Sequence, residues 1–459
     1  MSVSLEAALA VHRFGLGARP GELAAANGAP HDWLLAQLEQ PADQPAAIDG
    51  APWKTGGALV GELFAYRAQL QQEKQLNQPA QAAAAHTAKN QAESREYQRE
   101  MEGRFALGFT TAKPFLERLV WFWSNHFTVS AQKFATRPFV SAFEREAIRP
   151  HVTGKFSDML LAVTRHPAML IYLDNAESIG PNSPAGLRTH KGLNENLGRE
   201  LMELHTLGVD GGYTQADVIA LANILTGWSL DRDGGASGFA FYPLRHEPGS
   251  FVLRGKTYSG GEDAGIAALD DLARDPATAR HVARQFATHF VADEPPTESV
   301  TKLSKVFLDT NGDLKALAAA VVHDPHAWNR ANSKMRSPVE YVTASLRLVG
   351  WPRGGNLDQQ ARGAMGATRT MGEFPLAAPS PKGWPDTSVA WSGPDALLNR
   401  IAWAKALGNR MPASLDALAL AEGALGPLVN HETRAAMRAC GTSGDSLALL
   451  VASPEFQRR

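Results

Sequence analysis

The sequence predicts a mainly α fold: one large multi-helical domain over residues 1–459, with a long helical arm and one small β-hairpin. Three observations predict it. Apolar residues recur at helical spacing along nearly the whole chain, helix start and stop residues punctuate that pattern, and only one stretch alternates in the manner of strands. At 459 residues, 44% of them hydrophobic, the chain is long enough to bury a substantial core.

Taken in order, Ser4 is placed to cap a helix over 5–14 that stops at Gly15, and "HDWLLAQLEQP" gives a second, ended by Pro41. Residues 57–112 are rich in Ala, Gln and charge and are interrupted by Pro79, which predicts two long, largely exposed helices forming a projecting arm. From 114 to 230 the character changes: "FLERLVWFWSNHF", "FSDMLLAVTRHPAMLIYLDN" and "VIALANILTGW" crowd aromatic and apolar residues into the predicted core. Thr214 and Asp217 have capping-box spacing, and Gly227 is placed to close that helix. The stretch 238–258, "GFAFYPLRHEPGSFVLRGKTY", alternates around Pro-Gly and predicts the β-hairpin.

Helices follow near 263–274, 277–292, 298–308, 312–323 and 337–349, then a long irregular segment over 354–392, then helices at 394–408, 413–422 and 443–452. In "LLAVTRHPAM", "LAAAVVHDPHAW" and "LALLVASPEF" a helix is followed by a proline turn, a recurring way of ending one.

Charged residues make up 20% and the formal net charge is −2, so no basic excess argues for nucleic acid. Cys440 is the only cysteine, which excludes an intrachain disulfide and any multi-cysteine metal site within the chain. A metal would have to sit on His, Asp and Glu. No signal peptide is legible in "MSVSLEAALAVHRFGLGARPGE" and no run of 18 uncharged apolar residues occurs, so the chain reads as soluble. Nucleotide-loop, nucleophile-elbow and H-E-x-x-H motifs are absent.

The densest chemistry is in "NENLGRELMELHTLG", 194–208. On a helix, Leu197, Leu201 and Leu204 form an apolar face, while Asn196, Glu200 and Glu203 form an adjoining polar stripe. Arg199 can reach Glu195 and Glu203, and His205 lies on the other flank of the leucines. Three readings of Glu200 and Glu203 stand open. They are struts neutralised by Arg199, Lys191 or other arginines, ligands of a hard divalent cation with a histidine completing the set, or a general acid/base pair. His126, in "WSNHF", is the best outside partner, with Asn125 beside it. Asp174 and Asn175 follow the apolar run "AMLIYL" at a predicted helix end, as capping or as ion- or substrate-binding residues, and His246 with Glu247 sits in the predicted hairpin loop, either closing over a site or in a solvated turn.

"HRFGLGARPGEL", "WFWSNHFTVS", "RHPAMLIYLDNAES", the 194–228 block, "RHEPGSFVLRGKTY" and "PSPKGWPD" occur in this order, and with them the chain resembles the bacterial "domain of unknown function 1800" family over nearly its whole length. The resemblance implies one long domain and brings no established activity or catalytic residues. Members are often exported and frequently encoded beside a protein resembling the alkaline phosphatase superfamily, which implies a periplasmic or secreted location and a phosphatase-like partner.

Two function classes follow. One is a hydrolytic enzyme, assisted by a divalent metal in its metal-dependent form, with Glu200, Glu203 and His126 as acid/base groups or ligands. Asn125, Asp174, Asn175, Asn196, Arg199, His205 and His246 would then line its pocket. The other is a non-catalytic binding or assembly protein in which the same residues form a buried network.

Overall fold

A computed structural model describes residues 3–47, 49–350 and 357–459. Helices carry the described chain from Leu5 to Gln457, and its strands are confined to two antiparallel sheets of two strands each, so the fold is mainly α. No helix among the described residues is long and apolar enough to cross a membrane. Ser4 caps the first helix by accepting from Ala7 N at 3.0 Å, and Gly15 follows its last turn.

The helix Pro114–His126 runs through the middle of the core. Nearly all its side chains are buried, polar ones included. Phe122 packs edge-on to Phe286 at 5.1 Å between centroids, and Phe286 and Phe290 continue the cluster at 4.8 Å. Two neighbouring charges, Glu117 and Arg118, are enclosed with it at 2% and 1% exposure. Each is paired. Glu117 receives both terminal nitrogens of Arg149, at 2.7 and 2.8 Å, and Arg149 also holds Glu144, which pairs with Arg104. Arg118 meets Glu340, which Arg459 also reaches at 3.0 Å.

Residues 56–110 form two helices, Gly56–Gln75 and Pro79–Thr110, joined by a turn in which Asn77 takes φ 53. Through 71–92 few side chains are covered, but the second helix then enters the core, with Met101, Phe105 and Phe109 at 0, 2 and 0% exposure. The last three turns are core, not arm. Alanine- and glutamine-rich composition conceals this because Phe105 and Phe109, four residues apart, suffice to bury one face.

The single hairpin expected over 238–258 is replaced by two. Strand β1 (Trp228–Leu230) pairs antiparallel with β2 (Phe239–Phe241), and β3 (Ser250–Leu253) pairs with β4 (Lys256–Ser259). Residues 228–230, just beyond the Gly227 expected to close a helix, are the missing partner of β2. Pro248-Gly249 joins the two sheets and is not the hairpin turn. That turn is Arg254-Gly255, both at positive φ (50 and 80), the conformation a two-residue hairpin loop needs.

The irregular segment expected over 354–392 also contains a helix, Leu357–Thr370, packed against Pro79–Thr110; residues 354–356 lie outside the described residues. Its glycines at 363 and 366 disguised it. The capping box of Thr214 and Asp217 is complete, with the Asp217 carboxylate accepting from Thr214 N at 2.8 Å.

At the proline turns the residue before Pro does two jobs. His166 (φ −66, ψ 135) is extended, as a residue preceding proline prefers, which ends one helix. Its Nδ1 then accepts from Ala168 N at 3.1 Å and starts the next, whose first residue is Pro167. Asp324 and Ser453 repeat the device, accepting from His326 N and Phe456 N at 3.0 and 3.3 Å, and so does Asp275 before Pro276.

Candidate functional site

The central segment folds as a short α-helix, Asn196–Glu200, that widens into a π turn over Leu201–His205. Gly198 lets it lie directly on the helix Gln215–Ile224, because a Cβ there would stand 3.0 Å from Ala222 N and 3.2 Å from Val218 O. Leu197, Leu201 and Met202 are fully buried, while Leu204 is only partly covered. The segment therefore presents a buried side and a half-exposed side.

On the buried side the end of the helix leaves carbonyls without intrahelical donors, as helix ends do. His126 Nε2 lies 3.1 Å from the His205 carbonyl and His281 Nε2 lies 3.0 Å from that of Leu204. Gln285 stands between the two rings, 2.5 Å from His126 Nδ1 and 3.0 Å from His281 Nε2. Burial, then the neighbouring His281, pushes the His126 imidazole down to about 4, so it is neutral at physiological pH. A neutral ring that donates from Nε2 must accept at Nδ1. Turning the Gln285 NH2 toward His126 and its oxygen toward His281 lets the neutral His126 ring donate at Nε2 and accept at Nδ1, with the single His281 Nε2–H shared between the Leu204 carbonyl and the Gln285 oxygen. Both His126 nitrogens are then occupied.

The groups in contact with the His126 ring nitrogens are thus Gln285 and the His205 carbonyl. Among the described residues no group of three or more His, Cys, Asp or Glu side chains could hold a metal ion. His205 packs edge-on against Phe127 at 5.2 Å, has no partner for either ring nitrogen among the described residues, and is driven down to about 3 by burial and then by His126 and His281.

On the half-exposed side stand Glu200 and Glu203. Neither forms an ion pair among the described residues. The cations expected to neutralise them are engaged elsewhere: Arg199 holds Glu195 at 2.9 Å, and Lys191 holds Glu177 at 3.4 Å. Burial first and the Glu203 charge second raise the Glu200 carboxyl, with Arg199 opposing. Tyr172 lies close enough that burial and the Glu200 charge push its phenol up to about 12. The Tyr213 hydroxyl sits 3.5 Å from Glu203, and burial and that carboxylate raise it as well. Two carboxylates and two phenols thus share one face.

The remaining expected residues are engaged separately. Asn125 makes a reciprocal pair with the backbone of Trp384, donating at 2.9 Å and accepting at 2.8 Å. Asp174 ends its helix in the left-handed region (φ 60) and holds Lys133 at 2.6 Å, while Lys133 also donates to the carbonyls of Ile171 and Tyr172. Asn175, 1% exposed, donates to the carbonyls of Leu225 and Trp228. Asn196 is exposed. His246 Nδ1 reaches the Thr226 carbonyl at 2.9 Å, and Glu247 takes the backbone and side-chain amides of Asn182 at 2.9 and 2.6 Å, so this pair ties loops together.

Sequence reasoning passed over Tyr172, Tyr213, His281 and Gln285. The signal for Tyr172 lay in "AMLIYLDN", where the aromatic precedes the polar helix end. His281 and Gln285 are one helical turn apart on Pro276–Phe290, but nothing in that spacing says which other helix they face.

Fold and site together define a mainly α protein with an un-neutralised carboxylate pair on one side of its central helix and a neutral histidine–glutamine clamp on the other. The chain belongs to the family described as "Protein of unknown function (DUF1800)", whose model matches residues 9–458. Neither the curated proteins nor the solved structures yielded a match.

Proposed function

We propose that the chain is a hydrolytic enzyme working by general acid–base chemistry, with Glu200 as the proton donor and Glu203 as its anionic partner. The observation that carries this reading is the absence, among the described residues, of any ion pair to two half-buried carboxylates one helical turn apart. Structural carboxylates in such a place are normally paired; an un-neutralised pair in which burial and the neighbouring charge raise one member, here Glu200, is an arrangement that suits general acid–base catalysis. Tyr172 and Tyr213 supply hydroxyl donors beside the pair to orient a substrate oxygen.

The test is hydrolysis of a panel of chromogenic esters, amides, glycosides and phosphoesters by the wild-type protein, with Glu200→Gln and Leu201→Ala as the compared variants. Glutamine keeps shape and hydrogen bonding but cannot transfer the proton, a loss of about 10²–10⁴-fold. Leu201→Ala should instead lose about 2–5 kcal/mol of stability and keep turnover in the remaining folded fraction. Turnover equal in wild type and Glu200→Gln would sink the reading.

A second reading, a binding or assembly protein serving a phosphatase-like partner, is favoured by the exposed apolar side chains Val389, Leu398 and Ile401 at 81, 64 and 53% exposure. It is the one that gains if no substrate is turned over.

A further inference from the structure

A second feature lies on different residues. A cleft of about 470 Å³ opens between the helices Pro79–Thr110 and Leu357–Thr370, within the size range of small-molecule sites. Three arginines, Arg137, Arg362 and Arg369, reach its walls, and no acidic residue lines it. Their partners differ. Arg362 is compensated by Glu102 at 2.8 Å. Arg137 and Arg369 meet no carboxylate among the described residues.

Neutral groups hold those two guanidiniums instead. Arg369 lies over the Phe374 ring at 4.2 Å, and Arg137 lies over Phe134 at 4.9 Å while donating to the Ser94 hydroxyl at 3.3 Å. Their side chains are positioned and their charge is left over, which is what recognition of an oxyanion requires. Beneath them the cleft is apolar: Met365 and Ala377 are nearly buried, and Tyr97 packs on Phe374 at 5.8 Å with its hydroxyl spent on the Pro375 carbonyl.

We propose that this cleft binds a small organic oxyanion, its anionic head between Arg137 and Arg369 and its apolar body against Phe374 and Met365. The anion is a phosphate or a carboxylate; the guanidinium fork fits both. The excess of two positive charges favours a dianion. The site is independent of the Glu200 and Glu203 face, so either can fail without the other.

Titration calorimetry on the full chain at low salt tests it with three probes: phenyl phosphate, benzoate and inorganic phosphate. Phenyl phosphate should bind saturably and at least several-fold tighter than inorganic phosphate, because only it uses the apolar wall. Benzoate matching phenyl phosphate would support the site and assign the head as a carboxylate. Arg137→Gln with Arg369→Gln should weaken phenyl phosphate binding by at least tenfold, while Arg362→Gln should change it less, since Glu102 already neutralises that charge.

Glu102→Gln provides a check that does not depend on removing arginines. It releases Arg362 and should tighten binding several-fold. Saturable binding that survives the double arginine change in a folded protein, or no saturable binding of either aromatic probe, overturns the proposal.

Discussion

Glu200 and His126 show how far one residue's chemistry depends on what its neighbours have left unspent. Glu200 has a raised carboxyl because burial and Glu203 both disfavour its anion. That penalty is absent at pH values below the unfolded-state pKa, where the group is neutral in both states, and it is fully present above the raised folded-state value. Glu200→Gln should therefore melt higher than wild type at pH 8, and the difference should vanish by about pH 4. Thermal melts of both proteins across that range check it; a variant less stable at pH 8 would make Glu200 a structural pair member after all. The sequence displayed Glu200 and Glu203 plainly, because spacing alone puts them on one stripe. It did not show that Arg199 turns to Glu195 and Lys191 to Glu177, since either arginine contact is equally allowed at i±4 spacing. Nor did it show that both nitrogens of His126 are taken, because the Gln285 that takes one lies 159 residues away.

At the scale of elements, termini were more legible than pairings. Caps such as Ser4 and Thr214 are local chemistry, and the proline turns act through the residue immediately before them, so a short window of sequence contains the whole cause. β1 is different: "WSL" becomes a strand only because Phe239–Phe241 returns beside it, and nothing within three residues encodes that. The arm lies between these cases. Its first helix and the start of its second are covered by little else, and the joining turn at Asn77 has exposed neighbours on both sides, Lys74 among them. Brief trypsin treatment should cut first after Lys74 or Lys89, leaving the central block intact. Mass spectrometry of the early fragments checks this, and a first cut within 195–225 would contradict it.

Across the whole molecule, charge inside the core sets the response to acid. Burial alone would raise Glu144, Glu340 and Asp386, but arginines, with His289 and Lys334 also acting on Asp386, outweigh it, holding Glu144 and Asp386 at about 2 and Glu340 well below the usual carboxylate range. Their contribution is present above the unfolded value near 4 and is lost as pH falls through the folded ones. The buried imidazoles act earlier. Burial lowers His12 and His205 to about 3 and His126 and His289 to about 4, so each remains neutral in the fold while an unfolded chain takes up protons below about 6.5. Each steepens the loss of stability by about 1.4 kcal/mol per pH unit in that window. Denaturant midpoints should fall from about pH 6.5 downward and collapse before pH 4; a flat profile to pH 4 would mean that these rings are already protonated in the fold.

Such burial was invisible in a composition that is neither basic nor acidic, because the charges cancel in pairs. Glu117 and Arg118 make the point most sharply. Adjacent on one helix, they answer to two separate sets of partners, one through Arg149 and one through Glu340. Losing either alone would leave its buried cluster, Arg149 with Glu144 or Glu340 with Arg459, one counter-charge short. Descent with modification would have to change several positions at once to replace either, so both would stay fixed across distant relatives whatever the protein does. A search for catalytic residues by invariance would rank this dipeptide highly, and it would be reading the joinery of the core instead of its trade.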